Sequence, residues 1–85
     1  MKEFMYTIKD PEGIHARPAG MLVKEAAKYS SDINLIKDDK KGDAKRIFSV
    51  MSLGIKNSDT IKITVEGADE AEASAALEKF LKENL

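Results

Sequence analysis

Gly13-Ile14-His15-Ala16-Arg17-Pro18-Ala19 holds the only histidine of the chain and marks where one kind of periodicity gives way to another. On its N-terminal side Phe4, Tyr6 and Ile8 alternate with Glu3, Met5, Thr7 and Lys9, the pattern of a half-buried strand that Pro11 and Gly13 bring to an end. On its C-terminal side Ala19, Leu22, Val23, Ala26 and Ala27 recur at helical spacing and predict a helix over roughly residues 16–28. His15 therefore falls at a helix N-cap, where backbone N–H groups lack partners and the helix dipole is positive. Such a helix start is a natural anion site.

Each residue of the stretch has a physical task if the anion is a phosphoryl group. The neutral imidazole of His15 is the nucleophilic form, and a helix start and a nearby guanidinium both disfavour the imidazolium. The N–H groups of Ala16 and Arg17 are placed to donate to phosphate oxygens, and Arg17 can add bidentate contacts. Pro18 lies in the first turn, where its missing donor costs nothing and its fixed φ stiffens the phosphate-binding segment. Gly13 frees the approaching loop to turn sharply. The competing reading makes His15 a surface cap, Arg17 a solvated side chain and Pro18 a helix-start signal.

Outward from this stretch, the remaining elements follow in an α+β order. Ser30, Ser31 and Asp32 break the first helix, and Ile33 and Leu35 restart an alternation. Asp38-Asp39-Lys40 reads as a turn into a short, polar third strand ending near Ala44. Ile61, Ile63 and Val65 alternate with Lys62, Thr64 and Glu66 in a fourth. Asp69 and Glu72 have the N-cap and N3 spacing of a capping box. Behind them Ala73, Ala76, Leu77, Phe80 and Leu81 form one apolar stripe, with Lys79 and Lys82 near the favourable C-terminal end.

The composition suits one small domain, residues 1–85, and excludes several functions. The chain has 85 residues, 42% of them hydrophobic, enough for a single core. It has no cysteine, hence no disulfide framework or thiolate metal site, and one histidine argues against a histidine-based metal site. No apolar run reaches membrane-spanning length, and no signal-like core is present. Net charge is −1 with both signs interspersed, which points away from nucleic acid.

The segment from Ile47 to Leu53 carries the second functional clue. Wound as a helix, its apolar side chains span roughly 220°, whereas a core-facing surface helix needs a stripe of ~100° or somewhat more. So small a domain cannot bury them all. Val50 and Leu53 are expected in the core, while Ile47, Phe48 and Met51 are expected to form an exposed apolar patch for partner proteins. Gly54 reads as the stop of this helix.

Ile14-His15-Ala16-Arg17-Pro18-Ala19 resembles the active-site motif of HPr, the histidine-containing phosphocarrier of the bacterial sugar phosphotransferase system. Val50-Met51-Ser52-Leu53-Gly54-Ile55 resembles the family's other signature at the family's spacing, and Gly67-Ala68-Asp69-Glu70 resembles the entry to its last helix. The resemblance is colinear over essentially the whole chain. It implies an open-faced sandwich, a four-stranded antiparallel sheet with three helices on one face. It also implies a cytoplasmic, monomeric carrier that takes a phosphoryl group from Enzyme I on His15, at Nδ1, and passes it to IIA components. The carrier itself needs no cofactor or metal, magnesium belonging to the donor's reaction.

In the family the second helix lies beside the histidine and docks donor and acceptors alike. Lys24 on the first helix, with Lys45 and Arg46 ahead of the second, would then rim the apolar patch and steer an acidic partner. Position 46 departs from the family, which commonly has a serine there that a kinase phosphorylates for catabolite control in many Gram-positive bacteria. Arg46 offers neither that hydroxyl nor a side-chain acceptor for the helix start. Ser49 and Ser52 lie nearby but off the matching position. A regulatory paralogue in a nitrogen-type or dedicated phosphorelay, and an interaction domain that receives no phosphate, are the alternative readings.

Overall fold

Alternating side chains lay down a sheet with one apolar face. A computed structural model, describing residues 1–85, contains β1 (Lys2–Thr7), α1 (Ala16–Ala26), β2 (Asp32–Lys37), β3 (Lys40–Asp43), α2 (Ile47–Met51), β4 (Thr60–Glu66) and α3 (Glu70–Asn84). The order across the sheet is β1-β4-β2-β3, and every neighbouring pair is antiparallel. In β4, Ile61, Ile63 and Val65 are fully buried. Register sets Tyr6 and Phe4 of β1 against Ile61 and Ile63, and Leu35 and Ile33 of β2 against Ile63 and Val65. These side chains share one face because strand residues alternate with a period of two.

The three helices cover that face. Leu22 and Ala26 of α1, Val50 of α2, and Ala73, Leu77 and Leu81 of α3 join the strand residues in one core cluster of 20 buried residues. Glu3, Met5, Asn34, Lys62 and Thr64 line the other face, all exposed or half-buried. The α+β open-faced sandwich, a four-stranded antiparallel sheet with three helices on one side, is the architecture expected. α1 stops at Ala26, short of residue 28, because Lys28 and Tyr29 donate to the carbonyls of Glu25 and Ala26, tightening the last turn.

The capping box expected at α3 does not form. Asp69 stands at the N-cap, but its side chain makes no cap bond. Its carboxylate instead accepts the Ser30 N–H at 2.9 Å, the Ser31 N–H at 3.0 Å and the Ser31 hydroxyl. A demand for an acceptor from a distant part of the chain has outcompeted the local one: the loop leaving α1 brings the buried Ser31 to Asp69, and an unmet buried donor costs more than an open one at a helix end. Glu70, the first helical residue, folds its carboxylate back onto the approach to the helix and accepts the Gly67 N–H at 3.2 Å.

Three carboxyls sit below the ordinary carboxylate range. The Ser31 hydroxyl and Ser30 N–H lower Asp69, the Met1 α-amino group and Gly67 N–H lower Glu70, and the Lys37 ammonium and Lys56 N–H lower Asp59. A depressed folded-state value contributes stability above the unfolded value, and that contribution is lost as pH falls through the folded one. The urea midpoint is therefore expected to stay level from pH 7 to about 5 and to fall steeply below about pH 4.5, where unfolded Asp and Glu take up protons. Asp69→Asn should lower the midpoint at pH 7 and flatten the acid limb; a variant as steep as wild type would show that Asp69 is not part of the transition.

Candidate functional site

The loop into α1 is built by turn chemistry. The Gly13 N–H donates to the Asp10 carbonyl at 3.0 Å, closing a turn with Asp first, Pro11 second and Gly last, and the Glu12 N–H donates to Asp10 Oδ1 at 2.8 Å. Those residue types suit those places: Asp accepts from the turn backbone and Pro presets its φ. Gly13 takes φ +69°, and a Cβ there would press into the Ile55 carbonyl oxygen and come within 2.6 Å of Lys56 Cα. This close approach lets the Ile14 N–H donate to the Ile55 carbonyl at 3.0 Å, pinning the residue before His15.

His15 occupies the N-cap of α1 in extended backbone conformation, with φ −103° and ψ −174°. Its carbonyl accepts the Ala19 N–H at 3.0 Å, but its imidazole makes no cap bond and is 40% exposed, leaving the ring open to partners. The N–H groups of Ala16 and Arg17 donate to no backbone or side-chain acceptor, and Pro18, buried behind them, has no N–H to offer. The helix start thus presents two open donors beside the ring. Arg17 enters no ion pair. It shares an open cleft of about 310 Å³ with Asp10, His15, Pro18, Met21 and Asn84.

Carboxylates complete the surroundings. Glu12 Oε2 lies 3.4 Å from His15 Nε2, an ion-pair distance, on a side chain that is 73% exposed and free to swing aside. Sequence reading missed Glu12, Asp10, Met21, Asn84 and Ile55. Glu12 was within sight as the residue three before the histidine. Asn84 and Ile55 come to the site only through the tertiary fold, the first because the main-chain oxygen of Leu85 accepts the N–H groups of Lys9 and Asp10.

The residues read as a docking patch divide. Phe48 is 84% exposed and Met51 40%. Val50 and Leu53 are buried. Ile47 is half-buried and packs toward the core, with Gly20 of α1 against its Cδ1, so its place is at the α1–α2 crossing more than on the outer surface. Arg46, at the N-cap of α2 without a side-chain cap bond, shares a cleft with Phe48. Lys24 is exposed on α1 but lines a different cleft, with Met21, Lys28 and Phe80 toward α3. Lys45 lines the cleft of Arg46 and Phe48 as well, with its Nζ donating to the Tyr29 carbonyl at 2.7 Å. Ser49 Oγ accepts the Asp43 N–H at 2.8 Å, and Ser52 Oγ donates to the Ser49 carbonyl at 2.8 Å. No helix is long and apolar enough to cross a membrane.

These features coincide with those of known proteins. Residues 2–83 match the family described as the phosphotransferase-system HPr component phosphorylation site. The phosphocarrier protein HPr of Mycoplasma genitalium is 48% identical over 85 residues, covering 99% of this chain and 97% of its own. A crystal structure of HPr from Thermoanaerobacter tengcongensis superimposes with a TM-score of 0.93 at 44% identity, covering 98% of this chain and 93% of its own. An HPr dimer from the same organism aligns with a TM-score of 0.78 at 44% identity over 98% and 95% of the two chains. With a histidine-bearing helix start, a second signature in register and relatives of this likeness along its whole length, the chain belongs to the HPr family, the phosphocarriers of the phosphotransferase system.

Proposed function

We propose that the protein carries its phosphoryl group on His15, taking it from Enzyme I charged by phosphoenolpyruvate and giving it to IIA components in sugar uptake. One observation carries this reading: the two open N–H donors of Ala16 and Arg17 stand at the helix start that follows His15, with the imidazole and the unpaired Arg17 guanidinium lining the same cleft. Two N–H groups, a dipole and a guanidinium suit a dianion, and Pro18 keeps the first turn stiff around it. The Glu12 carboxylate on the Nε2 side favours the tautomer with its proton on Nε2, leaving the Nδ1 lone pair to attack phosphorus. The N–P bond forms as the bond to the donor's leaving atom breaks, and that electron pair stays with the donor. The ring becomes cationic, its Nε2–H facing Glu12, and the reverse displacement hands the group to the acceptor.

Phe48 and Met51, with Ile47 beneath and Arg46 and Lys24 on flanking surfaces, form the docking surface in this reading. Every residue named lies in one chain, so a monomer suffices, and a cytoplasmic setting follows from the partners. At position 46 an arginine replaces the hydroxyl that a serine kinase would need, and Ser49 already spends its oxygen on Asp43. The serine switch is absent.

Incubation with Enzyme I, magnesium and phosphoenolpyruvate is expected to add one phosphoryl group by intact mass, lost in acid and kept in base. Absence of any gain would leave an interaction domain as the reading. Phe48→Ala is expected to weaken binding of Enzyme I by about tenfold or more, as hot-spot aromatics do, at little cost in stability. Leu53→Ala, by contrast, should cost ~2–5 kcal/mol of stability as a core truncation. Unchanged affinity of folded Phe48→Ala protein in a titration would remove Phe48 from the docking surface.

A further inference from the structure

Lys37 belongs to neither motif, yet it bonds to the turn that supports the active-site loop. Its Nζ donates to the Gly54 carbonyl at 2.8 Å and pairs with Asp59 Oδ2 at 2.9 Å; the same carboxylate oxygen accepts the Lys56 N–H at 2.7 Å. These side chains are 20% and 30% exposed, so the pair is shielded on most sides. The turn they close is also stitched to the end of β1: Ile8 donates to the Asp59 carbonyl at 2.9 Å and Ser58 donates to the Ile8 carbonyl at 2.8 Å. Within that turn lies the Ile55 carbonyl, which holds the Ile14 N–H and against which Gly13 is pressed.

We infer that Lys37 is a positioning residue for the phosphoryl acceptor, acting with Asp59 to fasten the turn from Gly54 to Asp59 whose Ile55 carbonyl fixes the approach to His15. A carrier's histidine must meet a donor's phosphorus in line and at close range, where a shift of about 1 Å costs rate steeply. On the β2 side Lys37 is the side chain that holds Gly54, the stop of the docking helix, and with Asp59 it adds a link from β2 to a turn that backbone bonds already tie to the end of β1. The Lys37 ammonium, ahead of the Lys56 N–H, holds the Asp59 carboxyl below the carboxylate range, which keeps the clamp charged throughout neutral pH.

The test compares Lys37→Met, which keeps the apolar stem, with Lys37→Arg, which keeps charge and donors. Ala76→Gly on α3 serves as a control for general loss of stability. The inference rests on phosphoryl transfer for its rate arm only; amide exchange needs no partner and judges the clamp alone. Lys37→Met is expected to speed exchange at the Ile14 amide by about tenfold, since the support of that hydrogen bond opens locally. The maximal rate of transfer from Enzyme I is expected to fall about threefold to tenfold, with KM within about twofold. Lys37→Arg should restore both, and Ala76→Gly should change neither. An unmoved Ile14 amide in Lys37→Met, or an equal response in Ala76→Gly, would overturn the assignment. So would a change in KM alone with wild-type maximal rate.

Discussion

His15→Ala is expected to gain no phosphoryl group from Enzyme I and phosphoenolpyruvate under conditions that convert the wild-type protein completely. No other imidazole exists in the chain to substitute for it. The variant should fold normally: the side chain is 40% exposed and makes no cap bond, so little of the usual ~1 kcal/mol cost of losing a cap applies. Arg17→Ala is expected to retain the phosphorylation site and the fold but to slow transfer by about 10²-fold, the scale on which removing a donor to developing charge is felt. Intact mass with circular dichroism reads both outcomes. Stoichiometric, acid-labile labelling of His15→Ala would overturn the site.

Gly13→Ala is expected to be the most damaging small substitution near the site, and Gly54→Ala its internal control. Both glycines have positive φ, +69° and +61°. An L-residue in that region costs about 1–2 kcal/mol. At Gly54 nothing lies within 4 Å of the added carbon, so that conformational cost is all that applies. At Gly13 the carbon also meets the Ile55 carbonyl oxygen and Lys56 Cα, backbone atoms that cannot swing away, which adds about 1–3 kcal/mol of overpacking. Gly13→Ala should therefore cost ~2–5 kcal/mol in urea unfolding, or else push the loop outward and free the Ile14 amide. Equal costs at the two glycines, with Ile14 still protected, would show that the close approach is not what demands glycine there.

The strands and the first and last helices were legible because each repeats its period with buried residues at the predicted places: Tyr6 in β1, Ile33 and Leu35 in β2, Ile61, Ile63 and Val65 in β4. Their order was not, since no local pattern says that β1 pairs with β4; only the family resemblance implied an antiparallel sheet. The exposed Phe48 was legible because too much of the α2 wheel was apolar for the core to take. Ile47 packs inward against the core, beside Gly20 where α1 and α2 meet, a contact between helices that a single wheel does not contain. Asp69 misled for a similar reason: its spacing to Glu72 is local, whereas Ser30 and Ser31 reach it across the chain. The local form of Gly13–Ala19, a turn running into a helix start at His15, was legible, but its supports, Ile55 and the clamp at Lys37, are held by backbone atoms and pairings distant in sequence.

The strand order has a consequence for how the chain comes together. β1 lies at a sheet edge, and its one partner is β4, with Lys2 opposite Val65 and Thr7 opposite Thr60. Nothing made in the first half of the chain can satisfy β1, so during synthesis it waits unpaired while the elements from α1 through α2 emerge. Closing such a long loop is slow because its entropy is spent before any contact repays it. β2 and β3, by contrast, form a local hairpin with Lys37 opposite Lys40, and they can fold early. The arrival of β4, which must slot between β2 and the waiting β1, is therefore the step expected to limit folding, and the helix start at His15 acquires its final setting only when that slot is filled.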